Sequence, residues 1–148
     1  MNVIRTVSLR AAVLGSLLLG ACSVGPTEED INRTLEGILA SVSGEWTGSS
    51  TGTNPVTMAF TLTQAGNGAV TGSGTMKETN AAASVPITIA GSYQRPALML
   101  TFSGMVYEGK TVEGGFQGNY TTVGGVGSSL QLTAPGYSKA LPVLLQEK

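Results

Sequence analysis

Several residue types that usually carry enzymatic or metal chemistry are absent or rare in this chain of 148 residues. It has no histidine, the commonest general base and metal ligand. Only 11% of the residues are charged, against about 25% in typical domains. The acids after residue 44 are scattered, without the pairing expected of a glycosidase or metal site: Glu45, Glu78, Glu108, Glu113 and Glu147. The sequence therefore predicts no enzyme activity, no catalytic residues, no metal site and no cofactor.

Cysteine occurs once, and its position is informative. Arg5 and Arg10 give the N-terminus a positive charge, the short apolar run 11–19 follows, and Gly20 and Ala21 precede Cys22. This order is typical of a secretory signal. The apolar run has about ten residues, whereas a membrane-spanning helix needs about 20.

The segment Leu18-Leu19-Gly20-Ala21-Cys22 resembles the lipobox of bacterial lipoproteins. The resemblance implies a signal peptide over residues 1–21, an acylated tether over 22–27, and diacylglycerol and a further acyl chain such as palmitate on Cys22. Two or more chains anchor a protein stably, so the membrane is the expected partner. Ser23 implies the outer membrane of the cell envelope if the host is diderm. An ordinary secretory signal is the alternative.

Charge also bears on the choice of partner. The chain has 8 basic and 9 acidic residues. Loss of Arg5 and Arg10 with the leader would leave 6 and 9, a net charge near −3. Because there is no basic patch, nucleic acid is not an expected partner.

A helical pattern begins after the tether. Thr27 is a typical N-cap and Asp30 stands at the capping-box position. The following apolar residues share one helical face: Ile31, Leu35, Ile38, Leu39 and Val42. We predict an amphipathic helix over residues 28–43, with its apolar face docked on the next domain rather than on another protein or the membrane.

From Gly44 the period changes to two, as in half-buried strands. The segment 56–63 is the clearest example, and Met105–Tyr107 is predicted as a short strand separate from 98–102. Short turns join the strands, and the tail after Pro135 is predicted either as another strand or as a loose cover. The 21 glycines suit tight turns and sharply bent strands. We predict an all-β domain over 44–148, a seven- or eight-stranded antiparallel up-and-down β-barrel.

Gly44-Glu45-Trp46 resembles the G-x-W motif that opens calycin barrels such as lipocalins and avidins. The resemblance implies a structural Trp46 packed at a closed barrel end beside the preceding helix. Eight residues are predicted to face the interior, where they either line a ligand pocket or fill the core: Met58, Phe60, Ile87, Ile89, Tyr93, Phe102, Phe116 and Tyr120.

Two functions follow from these observations. The first is binding of a small apolar or amphiphilic ligand inside a lipocalin-like barrel. The alternative is an envelope protein-interaction module, such as a hydrolase inhibitor or an assembly factor. For the inhibitor, Ser103–Tyr107 resembles the S-G-x-x-Y element of one lysozyme-inhibitor family, although its T-K-G partner motif and paired cysteines are absent.

Overall fold

The computed structural model describes residues 25, 27–31, 41–121 and 125–148, and the chain divides into two units, residues 1–37 and 38–148. In the first unit residues 28–31 are helical. The backbone N–H of Asp30 donates to Thr27 Oγ1 at 3.3 Å, and Thr27 N–H donates to Asp30 Oδ2 at 3.4 Å. This reciprocal pair is the predicted capping box. Among the described residues, no helix has the length and apolar character needed to cross a bilayer.

The helix predicted over residues 28–43 is wrong at residues 41–43, which are not helical. Val42, assigned by spacing to the apolar helix face, is fully buried in the second unit. Its N–H donates to Gln64 Oε1 at 3.0 Å, and Ser43 Oγ accepts from Gln64 N–H at 2.8 Å. These bonds hold residues 42–43 against the end of a strand, so they cannot continue a helix. Leu35, Ile38 and Leu39 lie outside the described residues.

The second unit is a closed antiparallel barrel in which each strand pairs with the next and the last pairs with the first. The predicted up-and-down β-barrel is confirmed, with eight strands. They are β1 Gly44–Ser50, β2 Val56–Gln64, β3 Ala69–Glu78, β4 Val85–Gln94, β5 Ala97–Tyr107, β6 Lys110–Asn119, β7 Val126–Ala134 and β8 Tyr137–Glu147.

Alternation of apolar and polar residues decides which face of each strand is inside. In β2 the residues Val56, Met58, Phe60 and Leu62 are buried, and the threonines and alanine between them are exposed. The inward residues of all eight strands form one hydrophobic cluster. Closure leaves no free sheet edge in this barrel.

Two strands differ from the sequence-based prediction. Met105–Tyr107 is not a separate strand but the end of β5, which continues through a bulge between Phe102 and Met105. The bulge adds one residue and contains Gly104 at a φ of +84°. Because the extra residue shifts the in-and-out alternation by one position, the side chain of Met105 points into the barrel. The tail after Pro135, for which the sequence predicts either a strand or a loose cover, forms β8 and closes the barrel against β1.

Inward glycines permit the tight curvature of the wall, as the sequence indicates. A Cβ on Gly74 would lie 2.1 Å from the carbonyl oxygen of Ala59 on β2. A Cβ on Gly91 would lie 1.9 Å from the carbonyl oxygen of Met99 on β5. At these two points neighbouring backbones approach so closely that only glycine fits.

Candidate functional site

The barrel interior contains all eight residues predicted to face inward. Each exposes at most 4% of its surface, and all belong to the single hydrophobic cluster. Side chains around a ligand-sized hole retain accessible area even when the hole is enclosed. The small exposures therefore indicate a filled interior rather than a lipocalin-sized pocket.

Packing around the inward glycines gives the same result. A Cβ on Gly48 would lie 2.7 Å from Met58 Cε, and a Cβ on Gly114 would lie 2.6 Å from Met105 Sδ. The volume that these glycines leave free is thus occupied by side chains from neighbouring strands. Near the middle of the barrel Phe60 and Phe102 pack edge to face, with ring centroids 5.6 Å apart.

We call one end of the barrel the Trp46 end. The connections after β2, β4 and β6 lie at this end. The indole N–H of Trp46 donates to the carbonyl of Val42 at 2.9 Å, and its ring packs on Tyr120 with centroids 5.1 Å apart. The Tyr93 hydroxyl donates to the backbone carbonyl of Tyr120 at 2.8 Å. These three aromatic side chains are buried and cover this end. Trp46 is therefore part of the side-chain packing at this end of the barrel.

Tyr120 also contacts an acidic side chain at this end of the barrel. Its hydroxyl donates to Glu147 Oε2 at 2.6 Å. Burial, followed by the hydrogen bond and charge of Glu147, raises the pKa of Tyr120 well above its ordinary value. The phenol therefore stays neutral and serves as a structural donor.

The opposite end, the Tyr107 end, lies where the connections after β1, β3, β5 and β7 meet. Tyr107 is fully buried, and its hydroxyl donates to the backbone carbonyl of Asn54 at 3.1 Å. Glu78 accepts from Asn54 Nδ2 at 2.9 Å and from the backbone N–H of Glu108 at 2.6 Å. The connections after β1 and β5 and the end of β3 are thereby linked across the mouth. Both ends of the barrel are closed, one by aromatic rings and the other by polar bonds.

An ion pair extends this polar network to β8. Lys139 Nζ lies 2.6 Å from Glu108 Oε1 and 4.9 Å from the ring centroid of Tyr107. The hydrogen bond from Lys139, and a second from Tyr137, lower the pKa of Glu108. The bond to Glu108 raises the pKa of Lys139. Glu108 has a φ of +49° in a two-residue hairpin turn, where asparagine or glycine is usual.

Acceptors exceed donors around Glu78. Each of its carboxylate oxygens accepts one of these hydrogen bonds and has a second acceptor position. The Oδ1 atom of Asn54 is buried and accepts no hydrogen bond from the described residues. No lysine or arginine in the described ranges forms an ion pair with Glu78. This end of the barrel therefore favours a donor, above all a positively charged one.

Two surface depressions are relevant to recognition. A shallow groove of about 590 Å³ crosses the outer wall over β4 to β7 and contains no charged residue. Its outer rim includes Met99, which is 49% exposed, and its floor includes Gly115. A smaller cleft of about 220 Å³ lies at the Tyr107 end and is more enclosed. It is lined by Met76, Glu78, Ala81, Ala83, Val85, Val106 and Gly109.

The remaining sequence-based candidates take separate places. Cys22 and the lipobox lie outside the described residues. Ser103 and Gly104 lie at the bulge of β5, and Tyr107 points into the barrel, so this S-G-x-x-Y element is not displayed as a loop. Among the described residues, no group of histidine, cysteine or acidic side chains could hold a metal ion.

The charged cluster at the Tyr107 end was missed by sequence reasoning, which treated the acidic residues as scattered. Glu78, Glu108 and Lys139 are separated by about 30 residues each along the chain. A usable signal exists in retrospect. In an up-and-down barrel every second connection lies at the same end, so residues near the first, third, fifth and seventh turns must meet.

Comparison with known proteins gives no match: no family model, no curated protein and no solved structure is significantly similar to this chain. The closed eight-stranded topology is consistent with a calycin-like barrel.

Proposed function

We propose that this chain is a non-catalytic, lipid-anchored protein of the cell envelope whose barrel recognises another envelope protein through its outer surface. The observation that carries the proposal is the filled interior. A carrier needs a cavity and a mouth, whereas here the predicted lining residues are packed together and both ends are closed. Ligand binding inside the barrel would require the aromatic core to be displaced. Recognition at the surface needs no such change.

The exterior supports surface recognition. Outward positions of the eight strands, all of them described, carry only three charges, Glu45, Lys77 and Glu113. Threonine, serine, alanine and glutamine occupy most of the others, with exposed Met99 and Leu144 among them. Such a wall costs less to desolvate than a charged one, while the charges at the Tyr107 end can select a partner.

Anchoring rests on the lipobox at Leu18–Cys22. The segment after Cys22 joins the barrel at Gly44, which is at the Trp46 end.

The anchor is tested by labelling the full-length chain with palmitate in a bacterial host. We expect label and membrane fractionation for the wild type and for the matched control Ser23→Ala, and loss of both for Cys22→Ala. Membrane association that persists unchanged in Cys22→Ala, without label, would contradict the lipid anchor.

Recognition is tested by photo-crosslinking in living cells, with the crosslinking residue placed singly at exposed Met99, Leu144 or Ala83 in the full chain. We expect a discrete adduct with one envelope protein from at least one position, lost when unmodified protein is expressed in excess. The same protein, purified and extracted with organic solvent, should release no stoichiometric small molecule. A stoichiometric extract, or the absence of a competable adduct from all three positions, contradicts the proposal.

A further inference from the structure

We infer that the cleft at the Tyr107 end accepts a lysine or arginine side chain presented by a polypeptide partner. The inference rests on the proposed recognition role and assigns it a specific contact. Glu78 forms one wall of the cleft, and the other lining residues are apolar or are glycine. This juxtaposition of one carboxylate with apolar walls is what a long aliphatic cation requires.

The volume sets the class of occupant. Pockets for drug-sized ligands and cofactors occupy about 300–1,000 Å³. The cleft has about 220 Å³, enough for one long side chain. Lysine and arginine bury their methylene stems on apolar surface while the charged head meets a polar group. The half-buried Val85 and Val106 would contact the stem, and the second acceptor positions of Glu78 would contact the head.

Charge supports a cation at this place. Glu78 has no ion-pair partner among the described residues, and the adjacent Asn54 Oδ1 is an acceptor without a donor there. Lys139 is paired with Glu108, and Lys110 lies 5.3 Å from the ring centroid of Tyr137 on β8. Lys77, next to Glu78 in sequence, lies at an outward position of β3. None of these three lysines forms an ion pair with Glu78.

The site is also held rigid before any partner arrives. Glu78 is fixed by bonds to Asn54 and to the backbone of Glu108, and Met76 and Val106 belong to paired strands. Little side-chain entropy is then lost by the barrel on binding.

The experiment is a titration of the full-length, detergent-solubilised chain, followed by methyl NMR of Ala81, Ala83, Val85 and Val106. The probes are acetyl-Gly-Gly-Lys-Gly-Gly-amide, its arginine and norleucine analogues, and butylamine. We expect saturable shifts with the lysine and arginine peptides, and at least about tenfold weaker binding with norleucine, since a charge-assisted bond is lost. Butylamine should also bind more weakly than either peptide.

Variants separate charge from shape. Glu78→Gln should weaken peptide binding by about tenfold or more, whereas the matched control Glu113→Gln, which removes an outer-wall carboxylate, should leave it unchanged. Ala83→Phe should block the cleft without touching any bond of Glu78. This variant therefore tests whether the peptide binds in the cleft even if Glu78→Gln fails to fold.

Three results would overturn the inference: equal binding of the norleucine peptide, full binding by Ala83→Phe, or butylamine binding as tightly as the peptides. The last would assign the cleft to a free amine. None of these results affects the crosslinking test from Met99 and Leu144, so failure of this contact is distinguishable from failure of the recognition role.

Discussion

Replacing Phe102 with alanine tests directly whether the barrel interior is a packed core. The ring is fully buried and packs edge to face on Phe60. Burial of a phenylalanine removes about 150–250 Å² from water, which at about 25 cal/mol per Å² corresponds to about 4–6 kcal/mol. Measured truncations of buried phenylalanines cost about 3–5 kcal/mol. We therefore expect Phe102→Ala to lower the free energy of unfolding by about 4 kcal/mol.

The assay is equilibrium unfolding in urea, with Met99→Ala as the control because Met99 is 49% exposed on the outer wall. The control should change the free energy of unfolding by no more than about 0.5 kcal/mol. A second measurement uses benzene, which enters dry apolar cavities. Benzene should raise the stability of Phe102→Ala and leave the wild type unchanged.

A hollow barrel gives different results in both measurements. If Phe102 bordered an existing pocket, its removal would create no new cavity and would cost well under about 2 kcal/mol. Benzene would then stabilise the wild type as well. Either result would refute the filled interior and restore the carrier hypothesis.

Three further predictions concern the wall and the two ends. Gly91→Ala should destabilise the barrel by about 3 kcal/mol or prevent folding, while Gly115→Ala, whose Cβ would meet nothing closer than 3.9 Å, should be neutral or slightly stabilising in thermal unfolding. Lys139→Met should raise the pKa of Glu108 from its lowered value, as followed by carboxyl NMR. The stability linked to Glu108 is present above its ordinary pKa of 4.5 and is lost as the pH falls through the lowered pKa. Because Lys139→Met removes the main cause of the lowered pKa, the free energy of unfolding of this variant should fall less steeply in acid. The pKa of Tyr120 is raised in the folded state. The stability linked to Tyr120 is therefore fully present below the ordinary tyrosine pKa of 10.0 and falls as the pH rises above that value. Tyr120→Phe should make this alkaline decline in the free energy of unfolding shallower, as measured by urea unfolding.

The strands show which structural features local sequence patterns can predict. The alternation in β2 was readable from the sequence because a period of two depends only on neighbouring residues. The same approach misassigned Val42 to a helix, since its spacing fits both a helix face and the barrel core. It also divided β5 at Gly104, because a bulge interrupts alternation without ending a strand.

The candidate site depended on longer distances. Sequence alone determined that Phe60 and Phe102 face inward, because each follows the alternation of its own strand. It could not determine whether their rings meet, since that depends on how the closed wall coils. The meeting of Glu78, Glu108 and Lys139 likewise required the strand count and the order of connections.

For this protein the order of residues fixed the strand faces, the turns and the all-β class, because those properties arise between residues a few positions apart. Only the tertiary structure decided that the space above the glycines is occupied, that both ends are closed and that Glu78, Glu108 and Lys139 meet at one end. Those features depend on contacts between strands that are distant in sequence, and no local pattern encodes the contacts.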